Sequence, residues 1–235
     1  MSDNTTHLVL GVADRLMLNI DRADAARRLG VRAPIEKCTP WPDVARMAKW
    51  GAPHRHWYTS ALPILAARAK FWGMTVADYC DILAICSPQT SVKNNFTLAD
   101  AYCRQRIRLA DEAPIDVAIA IGAMEGVAAG LLHWECTGEV RGPKTGPFSL
   151  ALQGDGDALV LDTWMAKAFG IAQASLSRKE CRAAVAGTMA MVASRLGWSV
   201  AETQAAVWAW AVLHIPNKRG RLRVTLPTVA ESLAA

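Results

Sequence analysis

Three features of this 235-residue chain predict an all-α fold. Apolar residues recur at three- and four-residue spacing along most of it, helix-start signals precede those stretches, and strand signals are nearly absent. Thr75-x-x-Asp78, Ser177-x-x-Glu180 and Ser199-x-x-Glu202 read as capping boxes, in which a hydroxyl and a carboxylate satisfy the exposed backbone N–H groups of a first helical turn. Asp162, ahead of Thr-Trp-Met-Ala-Lys-Ala-Phe-Gly, reads as a helix N-cap. Pro34, Pro40, Pro42 and Pro53 mark a loop-rich region around a helix containing Arg46. Only Ala158 to Leu161 alternates like a strand, and the Gly154-Asp155-Gly156-Asp157 loop before it has too few acceptors for a calcium site. About ten helices follow, without repeats or low-complexity tracts.

Composition bounds the function. A hydrophobic content of 52% over this length suffices for one large core or two small lobes in one compact unit. The net charge of +5 permits a polyanionic partner but is modest for a dedicated DNA binder. Positive charge is concentrated in PNKRGRLRVT, residues 216–225, where Lys218, Arg219, Arg221 and Arg223 have no acidic neighbour; such a cluster can neutralise phosphates or be a solvated terminus. The six cysteines are scattered, without zinc or iron–sulfur spacing, and the five histidines form no metal pattern. No secretory signal opens the chain, so the expectation is a cytoplasmic protein with reduced thiols. The apolar run from Val117 to Trp134 contains Gly122, Gly126 and Gly130 at four-residue intervals, but Glu125 interrupts it. It reads as a helix that approaches its neighbour closely, not as a membrane span.

The chemistry-bearing stretch is RGPKTGPFSLALQGDGDALVLDTWMAKAFG, residues 141–170. Lys144 stands in a tight Gly-Pro-Lys-Thr-Gly turn, an apolar run and an acidic loop follow, and Asp162 opens the next helix. Taken alone, Asp162 is an ordinary N-cap and Lys144 a solvated turn residue or a phosphate contact. Taken together, turn, lysine, spacing and Asp-Thr resemble the helix-hairpin-helix DNA glycosylases of the endonuclease III superfamily, whose motif runs G-x-K-T-A, an apolar helix, then V-D-T-H. LAICSPQTSVKNNFTLADAY, residues 83–102, resembles the superfamily segment in which a helix ends in Ser-x-Gln and another starts with Val-x-x-Asn. VWAWAVLHIP, residues 207–216, resembles its apolar C-terminal helix with a Trp-x-x-x-His ending, although for Trp208, Trp210 and Leu213 ordinary core packing is strongly the better account. The resemblance covers residues 62–216 and is closest to short, cluster-free phage-encoded members.

That resemblance implies a two-lobed helical fold with a central cleft between the lobes. One lobe would be a helical barrel over 62–156 ending in the hairpin; residues 1–61 with 157–235 would form the other, carrying the catalytic aspartate and the basic tail. Lys144 would be the Schiff-base nucleophile and Asp162 its activator and charge stabiliser, because cleaving a base from deoxyribose leaves positive charge on the sugar that a fixed carboxylate stabilises. For the amine to react it must be neutral, so a lowered lysine pKa is expected. Gln89 would fill the gap left by an extruded nucleotide, unless Ser87 to Thr90 form only a helix-to-helix turn. Arg141, Gly142, Thr145, Lys218, Arg219 and Arg221 would contact double-stranded DNA, and Trp164 and Trp57 could line a base pocket or be ordinary packing residues.

The chain also departs from the pattern. Glu139-Val140-Arg141-Gly142-Pro143 retains one of the two hairpin glycines, and Pro143 has no N–H to offer a phosphate; the following helix N-terminus could still hold an anion. Trp164 stands where the family commonly has histidine. The leading expectation is a monomeric DNA glycosylase with abasic-site lyase activity, needing neither cofactor nor metal, that excises a damaged or modified base. A phage base-hypermodification enzyme acting on a substituted thymine, and a non-catalytic DNA-binding module, are the alternatives.

Overall fold

The structure is a computed structural model that describes residues 38–88, 90–108, 123–216, 220–222, 225–226 and 228–234. Among these residues it is helical throughout, with no strand. The helices are α1 (Trp41–Trp50), α2 (Trp57–Trp72), α3 (Val76–Ile85), α4 (Val92–Arg108), α5 (Glu125–Thr137), α6 (Thr145–Leu152), α7 (Thr163–Ala168), α8 (Lys179–Leu196), α9 (Val200–His214) and α10 (Val229–Ala234). Two short 3-10 turns, Ala52–His54 and Gln173–Ser177, join α1 to α2 and α7 to α8.

Local chemistry sets most of the helix starts. Thr75 and Ser199 each accept from the backbone N–H three residues on, while Asp78 and Glu202 reach back to the cap residue, so both predicted boxes form. Asp162 caps α7 by accepting from the Trp164 and Met165 N–H groups. The third predicted box does not form: the Ser177 hydroxyl donates to the Ala174 carbonyl within the 3-10 turn, and α8 starts one residue later, after Arg178, without a side-chain cap. Pro42 stands in the first turn of α1, where the missing N–H costs nothing. Ala158 to Leu161 is not a strand, because no neighbouring segment offers a ladder of partners; Ala158, Val160 and Leu161 are instead buried between helices.

The buried apolar residues fall into two clusters. Leu65, Tyr79, Leu83, Phe96, Tyr102, Leu131 and Leu152, from α2 to α6, belong to the first, which Val229 of α10 also joins. Val44, Met165, Phe169, Met189 and Val207 belong to the second, drawn from α1 and α7 to α9. Each fully buried side chain of this size contributes roughly 1.5–3 kcal/mol. Helix α9 serves both clusters: Ala201 and Ala205 face the first, and Ala206, Val207 and Ala211 the second.

The apolar run near residue 125 is divided, for α5 starts at Glu125 and residues 117–122 lie outside the described part. Among the described residues no helix is long and apolar enough to cross a membrane. Close helix approach holds at Gly130, where an added Cβ would lie 2.9 Å from the Ile85 side chain, but not at Gly126, which faces open space. None of the six cysteines forms a disulfide.

Candidate active site

The turn before α6 brings Lys144 inward. Gly142 takes φ +113°, a conformation that side-chain-bearing residues rarely adopt, and its carbonyl accepts from the Gly146 N–H at 3.4 Å. Lys144 then occupies the N-cap position of α6. It is half-buried, with Nζ donating to Ser87 Oγ at 3.2 Å and lying 5.8 Å from the Phe148 ring centre. Burial lowers the lysine pKa from 10.5, and the negative charge of Asp162 opposes that shift. The lowering expected from the sequence is present, with desolvation as its main cause.

Asp162 is held on three sides. Its Oδ1 accepts from the backbone N–H groups of Trp164 and Met165, both at 2.9 Å, and its Oδ2 accepts from Trp208 Nε1 at 3.1 Å. Burial raises its pKa above 3.8, while the Met165 N–H, the Lys144 charge and the two other donors work in the opposite direction. Asp162 is thus the N-cap its sequence context predicts and also a half-buried carboxylate electrostatically coupled to a half-buried amine. Among the described residues no ion pair joins the two; their coupling is through charge alone.

Both side chains line one cavity of about 170 Å³. This is smaller than the roughly 300–1,000 Å³ typical of pockets for drug-sized ligands. Trp57, Phe148, Trp164 and Trp208 supply much of its wall, and Leu226 reaches it from the tail. Trp57 and Trp208 lie 5.7 Å apart with ring planes inclined at 53°. The ammonium of Lys167 lies 4.3 Å from the Trp164 ring centre, which anchors that indole by a cation–π contact. Tyr58 donates to Gln204 Oε1 at 2.7 Å, tying α2 to α9 behind the cavity. Two of the lining residues, Asn95 and Trp57, each have a side-chain polar atom, Oδ1 and Nε1, that is buried without a hydrogen-bond partner. Leaving such a group unsatisfied costs about 1–3 kcal/mol.

Of the residues singled out in the sequence, Lys144, Asp162, Trp164 and Trp57 therefore converge on one cavity. Arg141 and Gly142 are exposed on the turn leading to it, and Thr145 is half-buried as the first residue of α6. Arg221 is exposed. Gln89, Lys218 and Arg219 lie outside the described residues.

Sequence reading missed three participants. Trp208, assigned to core packing, places its indole N–H on Asp162. Ser87 orients the Lys144 amine, and its place in the Ser-x-Gln segment was the available signal. Asn95 is the asparagine of Val-x-x-Asn, visible as a motif but without a role until the cavity is seen. His54 and His56 have no metal partner among the described residues, which contain no grouping of His, Cys, Asp or Glu suited to a metal ion; His56 instead meets Glu202 at 3.1 Å.

Residues 46–215 match the model of a family described as "Family of unknown function (DUF7178)", and the chain belongs to that family. The match includes every cavity residue named above except Leu226. No curated protein and no solved structure matches the chain.

Proposed function

We propose that this member of the DUF7178 family is a DNA glycosylase with abasic-site lyase activity, acting on a base flipped out of double-stranded DNA, with Lys144 as nucleophile and Asp162 as its proton acceptor and charge stabiliser. One observation carries the reading: an amine and a carboxylate, each disfavoured in its charged form by burial, share one small cavity walled by aromatic rings. Both shifts lower the cost of moving the proton from Lys144 to Asp162, which frees the amine lone pair.

In this mechanism the flipped base enters between the aromatic walls, where its π-faces replace the stacking lost in the duplex. The Lys144 lone pair attacks C1′, the C1′–N bond breaks, and its electron pair leaves with the base, which takes up a proton. Asp162, protonated by Lys144, passes that proton to the departing base, and the carboxylate so regenerated stabilises the positive charge on the sugar and takes a proton from the new C1′-bound ammonium. Opening of the sugar ring gives a Schiff base between Nζ and C1′; loss of a C2′ proton then expels the 3′ phosphate by β-elimination. Ser87 and Phe148 keep Nζ pointing into the cavity, and the Trp208 N–H fixes the carboxylate. Arg141, Gly142 and Thr145 at the hairpin, with Lys218, Arg219 and Arg221 of the tail, contact the flanking phosphates, and Gln89 fills the vacated stack.

Borohydride trapping on duplex DNA carrying one abasic site tests the reading without a guess about the base. Wild type should give a covalent adduct and Lys144→Ala none. An adduct that persists in the variant, or no adduct with wild type, would remove Lys144 as the nucleophile.

A further inference from the structure

The aromatic rings that wall the cavity are not held alike. Trp57 and Trp208 brace each other at 5.7 Å, Trp57 meets the Tyr58 ring edge-on at 5.2 Å, and Trp208 is tied to Asp162 through its indole N–H. Phe148 has the Tyr58 ring at 6.3 Å and the Lys144 ammonium at 5.8 Å. Trp164, among the described residues, has neither a ring neighbour nor a hydrogen bond from its Nε1. Apart from apolar packing on the second cluster, its side chain has one directed contact, the Lys167 ammonium 4.3 Å from the ring centre.

Lys167 stands three residues further along α7 and is not one of the residues lining the cavity. Its Nζ also donates to the Pro216 carbonyl at 3.2 Å, just beyond the end of α9. No carboxylate among the described residues pairs with it. A lysine ammonium has three donors, so it can serve a carbonyl and a ring face at once, which no neutral side chain of that length does. The turn it closes is the one that caps on Asp162, since the Trp164 N–H donates to that carboxylate at 2.9 Å.

We infer that Lys167 is a positioning residue for this site: braced on the Pro216 carbonyl, it fixes the Trp164 indole as a cavity wall, so that what enters, a base or the bare sugar of an abasic site, is held against Lys144. The inference rests on the reading of the cavity as the reaction site. Lys167 acts through Trp164 and touches neither the sugar nor the phosphates. A misplaced wall spoils the geometry of attack after DNA has bound, so the maximal rate depends on Lys167 and the affinity does not. A phosphate contact would do the opposite, weakening DNA binding and reducing its salt slope by about one.

Two measurements on the full chain test this, using Lys167→Met, which keeps the length but loses charge and donors, and Lys167→Arg, which keeps both. In the first, borohydride trapping on duplex DNA with one abasic site is followed against DNA concentration. Lys167→Met should lower the maximal trapping rate about fivefold, with the half-saturating DNA concentration within about twofold of wild type, and Lys167→Arg should recover most of the rate. In the second, the chain carries 5-fluorotryptophan, and the Trp164 fluorine resonance among its nine is identified by its loss in Trp164→Phe. That resonance should move in Lys167→Met more than any other, and less in Lys167→Arg. An unmoved Trp164 resonance, an unchanged maximal rate, or an arginine variant as slow as the methionine one would overturn the inference. Weaker DNA binding with the maximal rate kept would make Lys167 a phosphate contact, which overturns it too. The resonance needs no turnover. If wild type gives no adduct, the lyase reading falls alone and the resonance still decides on Lys167; if the adduct forms and the resonance stays, only the positioning role falls.

Discussion

Asp100 and Asp162 are both buried or half-buried carboxylates with three donors each, yet their surroundings differ in kind. Asp100 accepts from Trp72 Nε1 and Tyr79 OH, each at 2.8 Å, and pairs with the Arg68 guanidinium. Its neighbours are core side chains, and burial with the adjacent carboxylate drives the Tyr79 hydroxyl well above its usual pKa, so it stays a neutral donor. Asp162 accepts from two backbone N–H groups and Trp208, and it also lines a cavity shared with the Lys144 side chain. The first site is completed by side chains of its own core; the second stands beside open space. Satisfied polar clusters hold the fold, and incompletely satisfied ones beside a cavity are where chemistry can occur.

Substitutions at the two sites should separate along that line. The largest effect expected is on Asp162→Asn, which keeps an oxygen to cap α7 but loses the charge and places an amide N–H₂ opposite the Trp208 N–H. Glycosylase turnover on a cleavable base should fall by about 10²–10⁴, while the urea midpoint moves little; a large stability loss with turnover intact would make Asp162 a structural cap.

Asp100→Ala should do the reverse. Arg68 is partly exposed, which discounts the ion-pair share, but Trp72 and Tyr79 lose their acceptor, for a total of about 2–4 kcal/mol. Equilibrium urea unfolding measures this, and specific activity per folded molecule should stay at the wild-type value. A loss of activity larger than the loss of folded protein would erase the distinction between the two carboxylates.

Trp208→Phe sharpens the comparison, because it removes one donor from Asp162 without opening the core. The expected cost is about tenfold in turnover, corresponding to roughly 1.4 kcal/mol, with the pH profile displaced upward since a donor that lowers the Asp162 pKa is lost. A drop in turnover without displacement of the profile would show that the indole supports the wall and not the carboxylate.

The smallest effect concerns pH and stability. Lys144 has a folded pKa below its ordinary 10.5, so between the two values the unfolded chain binds more protons than the folded one. Its contribution to stability therefore rises with pH across that window and is lowest where the folded amine is fully charged. Lys144→Met should remove that slope and raise the Tm below the window; identical slopes for variant and wild type would mean that Lys144 is not desolvated.

Much of the local structure was legible in the residues. Thr75 and Ser199 cap as their boxes predict, because the carboxylate and hydroxyl concerned lie within one helical turn. Ser177 misleads for an equally physical reason: the same hydroxyl found a carbonyl three residues back and the chain tightened into a 3-10 turn. The alternation of Ala158 to Leu161 signals burial on more than one side, which between helices produces an extended segment and not a strand. Lys144 and Asp162 were legible as a pair through motif and spacing, whereas Trp208 and Asn95 were not, since nothing near them in sequence records what they face.

What the sequence determined by itself is thus the all-helical character and most helix starts, since these depend on interactions spanning a few residues. Tertiary structure decided which side chains meet. Ser87 and Lys144 are 57 residues apart, Asp162 and Trp208 are 46 apart, and Tyr58 and Gln204 are 146 apart. Packing of α6 on α3 brings the first pair together, packing of α9 on α7 and α2 brings the other two, and together they remove water from the amine and the carboxylate. Desolvation is the largest cause of both pKa shifts, and it belongs to no residue's local context; it arises from everything that surrounds the cavity.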